Sequence, residues 1–62
     1  MRTIDIKLVE PAGRNRKPLW EAWDHYWPSI ETQFHADDEG NGNLERIARR
    51  LLNDAERESQ VD

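Results

Sequence analysis

The residues best suited to chemistry fall in one run, Asp37-Asp38-Glu39-Gly40-Asn41-Gly42-Asn43-Leu44-Glu45. Counted from Asp37, oxygen-bearing side chains stand at positions 3, 5 and 9 (Glu39, Asn41, Glu45), Gly42 at the sharp-turn position 6 and Leu44 at an apolar position 8. That is the start of a calcium-binding loop between two helices. Position 12, where the cation needs a bidentate Glu, is Ala48. A hard cation deprived of two oxygens is held poorly, and a helix connection explains the same residues. His25 and His35 lie ten residues apart, about 80° from one another on a helical wheel. Glu21, Asp24 and His25 form a trio that any acidic helix surface offers. The chain has no Ser-His-Asp order, Gly-rich phosphate loop or metalloprotease helix. A water-excluding pocket also needs more volume than 62 residues supply. The expectation is a binding protein and not an enzyme, with no metal, cofactor or small-molecule substrate.

Composition points the same way. Hydrophobic and charged residues each make up 35% of the chain, so apolar material is scarce and must be concentrated. With no Cys there can be no disulfide staple, thiolate metal site or Cys nucleophile. No apolar run approaches the ~20 residues of a membrane span and no signal-peptide core is visible, so a cytoplasmic protein is expected, with no membrane partner. The net charge of −4 conceals an asymmetry. Residues 1–20 carry Arg2, Lys7, Arg14, Arg16 and Lys17 against Asp5 and Glu10, a balance of +3; residues 21–62 carry four Arg against eleven Asp and Glu, a balance of −7. A basic arm on an acidic body follows.

The elements that must position these residues read as strand, helix, helix in one small domain spanning 1–62. Over 3–9, Ile4, Ile6 and Leu8 alternate with Asp5 and Lys7, the pattern of a half-buried strand. A basic connector follows over 10–17. From Pro18, the residues Leu19, Trp23, Tyr26, Trp27, Ile30 and Phe34 stand at offsets 0, 4, 7, 8, 11 and 15, predicting an aromatic helix over 18–35 kinked at Pro28, with Trp20 at the stripe's margin. An acidic Gly/Asn turn covers 36–42. Leu44, Ile47, Ala48, Leu51, Leu52 and Ala55 form a second stripe, predicting an amphipathic helix over 43–58, capped by Asn43, with i,i+4 pairs Glu45–Arg49 and Arg50–Asp54. Residues 59–62 are a fraying tail. The fold class is thus mainly α with one N-terminal strand and a helical hairpin. A lone strand cannot satisfy its own backbone, so 3–9 must pair with another chain or with a segment this reading misses, and a homodimer or hetero-complex is expected.

Three indoles are more than one strand and one aliphatic helix cover, so part of the aromatic face is left to anchor a partner. Trp20 and Trp27, with the acidic turn Asp37, Asp38 and Glu39, are the candidate protein-binding residues. The first functional reading is a small acidic adaptor, accessory subunit or inhibitor docking on a larger assembly. The second rests on a resemblance. In element order over residues 3–58, the chain resembles the ribbon–helix–helix family of dimeric repressors and antitoxins, whose strands pair across two chains and enter the major groove. That resemblance implies Thr3, Asp5 and Lys7 facing DNA, with the helix N-terminus near Asn43 at the phosphates. Under it, Lys7, Arg14, Arg16 and Lys17 are the nucleic-acid candidates. The acidic body makes an unassisted approach to phosphate unfavourable, which favours the first reading.

Overall fold

Ile4, Ile6 and Leu8 do share one face of a strand: in the computed structural model of the chain, which describes residues 2–60, β1 runs over Ile4–Glu10. The next two elements are also strands, β2 over Leu19–Asp24 and β3 over Glu31–His35, and helix α1 closes the chain over Asn43–Gln60. The strands form an antiparallel meander in the order β1-β2-β3. The mainly helical architecture is therefore overturned, and the helix expected over 18–35 is a β-hairpin. The N-terminal strand finds its mate in the same chain, in the missed segment Leu19–Asp24, so its pairing asks for no second copy.

The register explains how the two faces are divided. Ile4 stands opposite Asp24, Ile6 opposite Ala22 and Leu8 opposite Trp20. Trp20 in turn faces Phe34, and Ala22 faces Thr32. Directly opposed residues share a face of the sheet, and this is the face α1 covers. Ala22, Phe34, Ala36, Ala48 and Leu52 are its buried centre, with Ile4, Ile6, Trp20, Ile30, Leu44, Ile47 and Leu51 packed around them. The expected stripe of α1 does point inward, because its apolar residues recur at the helical period. The other face is open: Asp5, Lys7, Glu10, Leu19, Glu21, Trp23, Glu31, Gln33 and His35 stand on it by the same alternation. A bulge between Leu8 and Glu10 leaves Val9 out of register.

The helical reading of 18–35 failed because a strand–turn–strand placed apolar residues at spacings that mimic a helical stripe. Leu19 and Trp23 lie on the open face and Phe34 on the covered one, whereas Tyr26 and Trp27 belong to the connection between strands. Trp, Tyr, Phe and Thr fit a pleated surface better than a helix. Pro28 therefore sits in a turn and kinks nothing. At the other end, Ser59 and Gln60, expected in a frayed tail, lie within α1, and Val61 and Asp62 fall outside the described residues. No described helix is long and apolar enough to cross a membrane.

The expected cap and wet-side pairs are met in part. Asn43 Oδ1 accepts from Glu39 N and its Nδ2 donates to Asp37 O at 2.6 Å, so its side chain ties down the preceding loop and does not cap the helix's own amides. Glu45 pairs with Arg49 at 2.7 Å. Arg50 and Asp54 form no ion pair.

Candidate interaction site

Asp24 ends β2 on the covered face and is buried, an unusual place for a carboxylate unless its oxygens are used. They are. Oδ1 accepts from the backbone amides of Tyr26 at 2.8 Å and Trp27 at 3.0 Å. Oδ2 lies 3.1 Å from Arg2 Nη1, close enough to pair although the N–H does not aim along a hydrogen-bond axis. Arg2 also pairs with Glu56 of α1, and Arg49 Nη1 donates to the Arg2 carbonyl at 2.8 Å. One buried carboxylate thus joins the β2–β3 turn, the start of β1 and the helix.

The turn is closed from its other side by the backbone. Asp24 N donates to Ile30 O at 3.0 Å, Ile30 N to Trp27 O at 2.8 Å, and His25 N to Thr3 O at 2.8 Å. His25 Nδ1 lies 2.9 Å from Asp5 Oδ2, and the His25 ring meets Tyr26 edge-on with centroids 5.0 Å apart. On this frame Tyr26 and Trp27 stand 71% and 67% exposed. They form an aromatic tip on a turn whose backbone is already fixed. No protein-family model, curated protein or solved structure matches this chain.

The sequence-predicted residues scatter. Trp27 is at the tip. Trp20, expected at the margin of an aromatic helix, is half-buried in the core, where its Nε1 donates to Ala36 O at 2.9 Å. Asp37, Asp38 and Glu39 lie exposed in the loop before α1. Asp38 Oδ1 accepts from Gly40 N, Asn41 Oδ1 from Asn43 N, and Asp37 Oδ2 lies 3.8 Å from Lys17 Nζ. Among the described residues no group of three or more His, Asp or Glu is arranged to hold a metal ion. Of the nucleic-acid candidates, Arg14, Arg16 and Lys17 sit at the exposed β1–β2 turn. Lys7 is elsewhere, on the open sheet face 3.9 Å from Glu21.

Sequence reasoning missed Tyr26 and Asp24 as parts of one site. The available signal was an Asp followed within a few residues by Pro, with no apolar period across 24–29, which marks a side-chain-capped turn.

Proposed function

We propose that the protein is a protein-binding module whose anchor is the aromatic tip Tyr26–Trp27, docking into an apolar pocket on a larger partner as an accessory subunit, adaptor or inhibitor. The observation that carries this is the exposure of two large aromatic side chains on a turn locked by Asp24. A free monomer gains nothing by presenting them to water, whereas each buries ~150–250 Å² when covered. Because the turn is ordered beforehand, little backbone entropy is lost on docking. Trp and Tyr are also the side chains that most often dominate an interface.

The test starts from a partner retained by the wild-type chain. Trp27→Ala is expected to weaken that complex about 30-fold, the equivalent of ~2 kcal/mol, while circular dichroism of the free protein stays unchanged. A complex indifferent to both Trp27→Ala and Tyr26→Ala overturns the reading.

A second reading has one observation in its favour. Arg14 and Arg16 are exposed at the β1–β2 turn, and neither makes an ion pair with a described residue. Nucleic-acid binding through this turn predicts retention in a mobility-shift assay that falls steeply with salt and is abolished when Arg14, Arg16 and Lys17 become Ala.

A further inference from the structure

The charges of this fold are sorted between the outer side of α1 and the open face of the sheet. On α1, Arg46, Arg50 and Arg57 lie within about 40° of one another around the helix axis, on the side opposite Ala55 and the buried Ala48. With Arg49, Asn53 and Asp54 they line a shallow surface groove of about 350 Å³. Arg49 is engaged with Glu45 and the Arg2 carbonyl. The guanidinium groups of Arg46, Arg50 and Arg57 make no ion pair or hydrogen bond with any described residue, although the chain has 13 carboxylates. Asp54, at the margin of the groove, pairs with none of them.

The missing counter-charges are across the molecule, on the open face of the sheet. Asp5, Glu10, Glu21 and Glu31 stand there against one lysine, Lys7, with Asp5 also 2.9 Å from His25 Nδ1. In their midst Trp23 occupies β2 directly between Asp5 on β1 and Glu31 on β3. An indole flanked by two carboxylates suits a guanidinium, which can stack on the ring and pair at its edges. The next row holds Glu21, which accepts from Gln33 at 3.1 Å and lies 3.9 Å from Lys7.

We infer that the chain associates with itself head to tail, the arginine stripe of one copy lying on the open sheet face of the next. Spacing supports the match. Arg46 and Arg50 are ~6 Å apart along the helix axis, and the Trp23 and Glu21 rows are ~6.8 Å apart along the strands. Each sheet then carries its own helix on one face and a neighbour's on the other. The two patches differ, so the contact is heterologous and does not close at two copies. With extents of 40 × 22 × 15 Å the molecule can bury about 600 Å² per partner, the low end for specific interfaces, and the association is accordingly weak and concentration-dependent.

Analytical ultracentrifugation from low micromolar to millimolar protein tests this without any ligand. At about 0.1 M salt, where the Debye length is ~10 Å, the mean mass should climb past two copies, and at about 1 M salt, where it is ~3 Å, it should return to one. Arg46→Ala with Arg50→Ala, and separately Glu21→Gln with Glu31→Gln, should each stay monomeric. Mixed together, the two double variants should form a one-to-one dimer and stop, because only one intact interface remains. Trp27→Ala should assemble like the wild type. A wild-type chain that is monomeric throughout, one that stops at two copies, or assembly indifferent to both double variants would each overturn the inference.

Discussion

The two turns of the sheet are built on opposite terms. The β1–β2 turn is held by Gly13 and Arg16, which exchange backbone bonds of 3.1 and 3.2 Å, with Arg14 and Asn15 at its apex. Every residue over 10–17 is exposed. The β2–β3 turn is held by Asp24, a buried side chain that reaches two of its amides and is anchored to Arg2 and, through Arg2, to α1. Exposure means different things in the two places. Arginine and lysine are at home in water and need no frame, so the first turn's exposure is ordinary. Tyr26 and Trp27 are not, and a fold that fixes the backbone beneath them keeps them from folding back onto the core. The framed turn is therefore the informative one.

The sharpest way to break that contrast is to remove the frame. Asp24→Ala is expected to destabilise the protein by ~3–5 kcal/mol, because it leaves two turn amides without their acceptor and takes from a largely buried guanidinium one of its two carboxylates, Glu56 remaining. Urea denaturation gives the size, and hydrogen exchange at the Tyr26 and Trp27 amides gives the place: both should lose protection. Asp24→Asn keeps an acceptor for those amides and should fall between the two. If Asp24→Ala costs under about 1 kcal/mol, the turn is not framed by this residue.

Next in size is the contrast between two tryptophans seven residues apart. Trp20→Ala should cost ~3 kcal/mol, since it opens a hole beside Phe34 and leaves the Ala36 carbonyl unpaired. Trp27→Ala should change stability by less than about 0.5 kcal/mol, as befits an exposed side chain. Thermal melts of the two variants decide it. Equal costs would mean that the tip is packed and not presented.

These same residues mark where the sequence was legible. Strand β1 and helix α1 could be read because each has one covered face, so the period of 2 or 3.6 stands out along its length. Strand β2 could not, because both its faces carry a tryptophan and its covered face ends in a carboxylate, Asp24. Strand β3 was legible and was overlooked: Ile30, Thr32, Phe34 and Ala36 alternate with Glu31, Gln33 and His35. An apparent helical stripe running through 19–34 hid that alternation. For the site, the surplus of aromatics did point to an uncovered indole. Which one it was depends on long-range bonds, Trp20 to Ala36 and Asp24 to Arg2, that no local pattern encodes.

A smaller effect is expected at the apex of the unframed turn. Asn15 adopts φ 60°, a left-handed conformation that Asn tolerates and that other residues with a Cβ reach only at a cost. Asn15→Ala should cost about 1 kcal/mol, and Asn15→Gly should be neutral to within about 0.5 kcal/mol. Chemical denaturation separates the two. If Ala and Gly behave alike, the turn relaxes freely and is looser still than its two backbone bonds suggest.

The smallest effect is expected from the basic side chains of that turn. Lys17 and Asp37, 3.8 Å apart with about 60% of each side chain exposed, add a side-chain pair to the backbone bond from Ala36 N to Pro18 O that joins this connection to the loop before α1. A pair so wet gains little Coulomb energy and has to hold two mobile side chains together, so a double-mutant cycle on Lys17→Ala and Asp37→Ala should return ~0.2–1 kcal/mol that fades with salt. Arg14→Ala should fall within about 0.5 kcal/mol of the wild type. A coupling well above that range would give the basic turn a frame of its own. The contrast with the aromatic turn would then be one of chemistry alone, and rigidity would no longer single out Tyr26 and Trp27 as the docking tip.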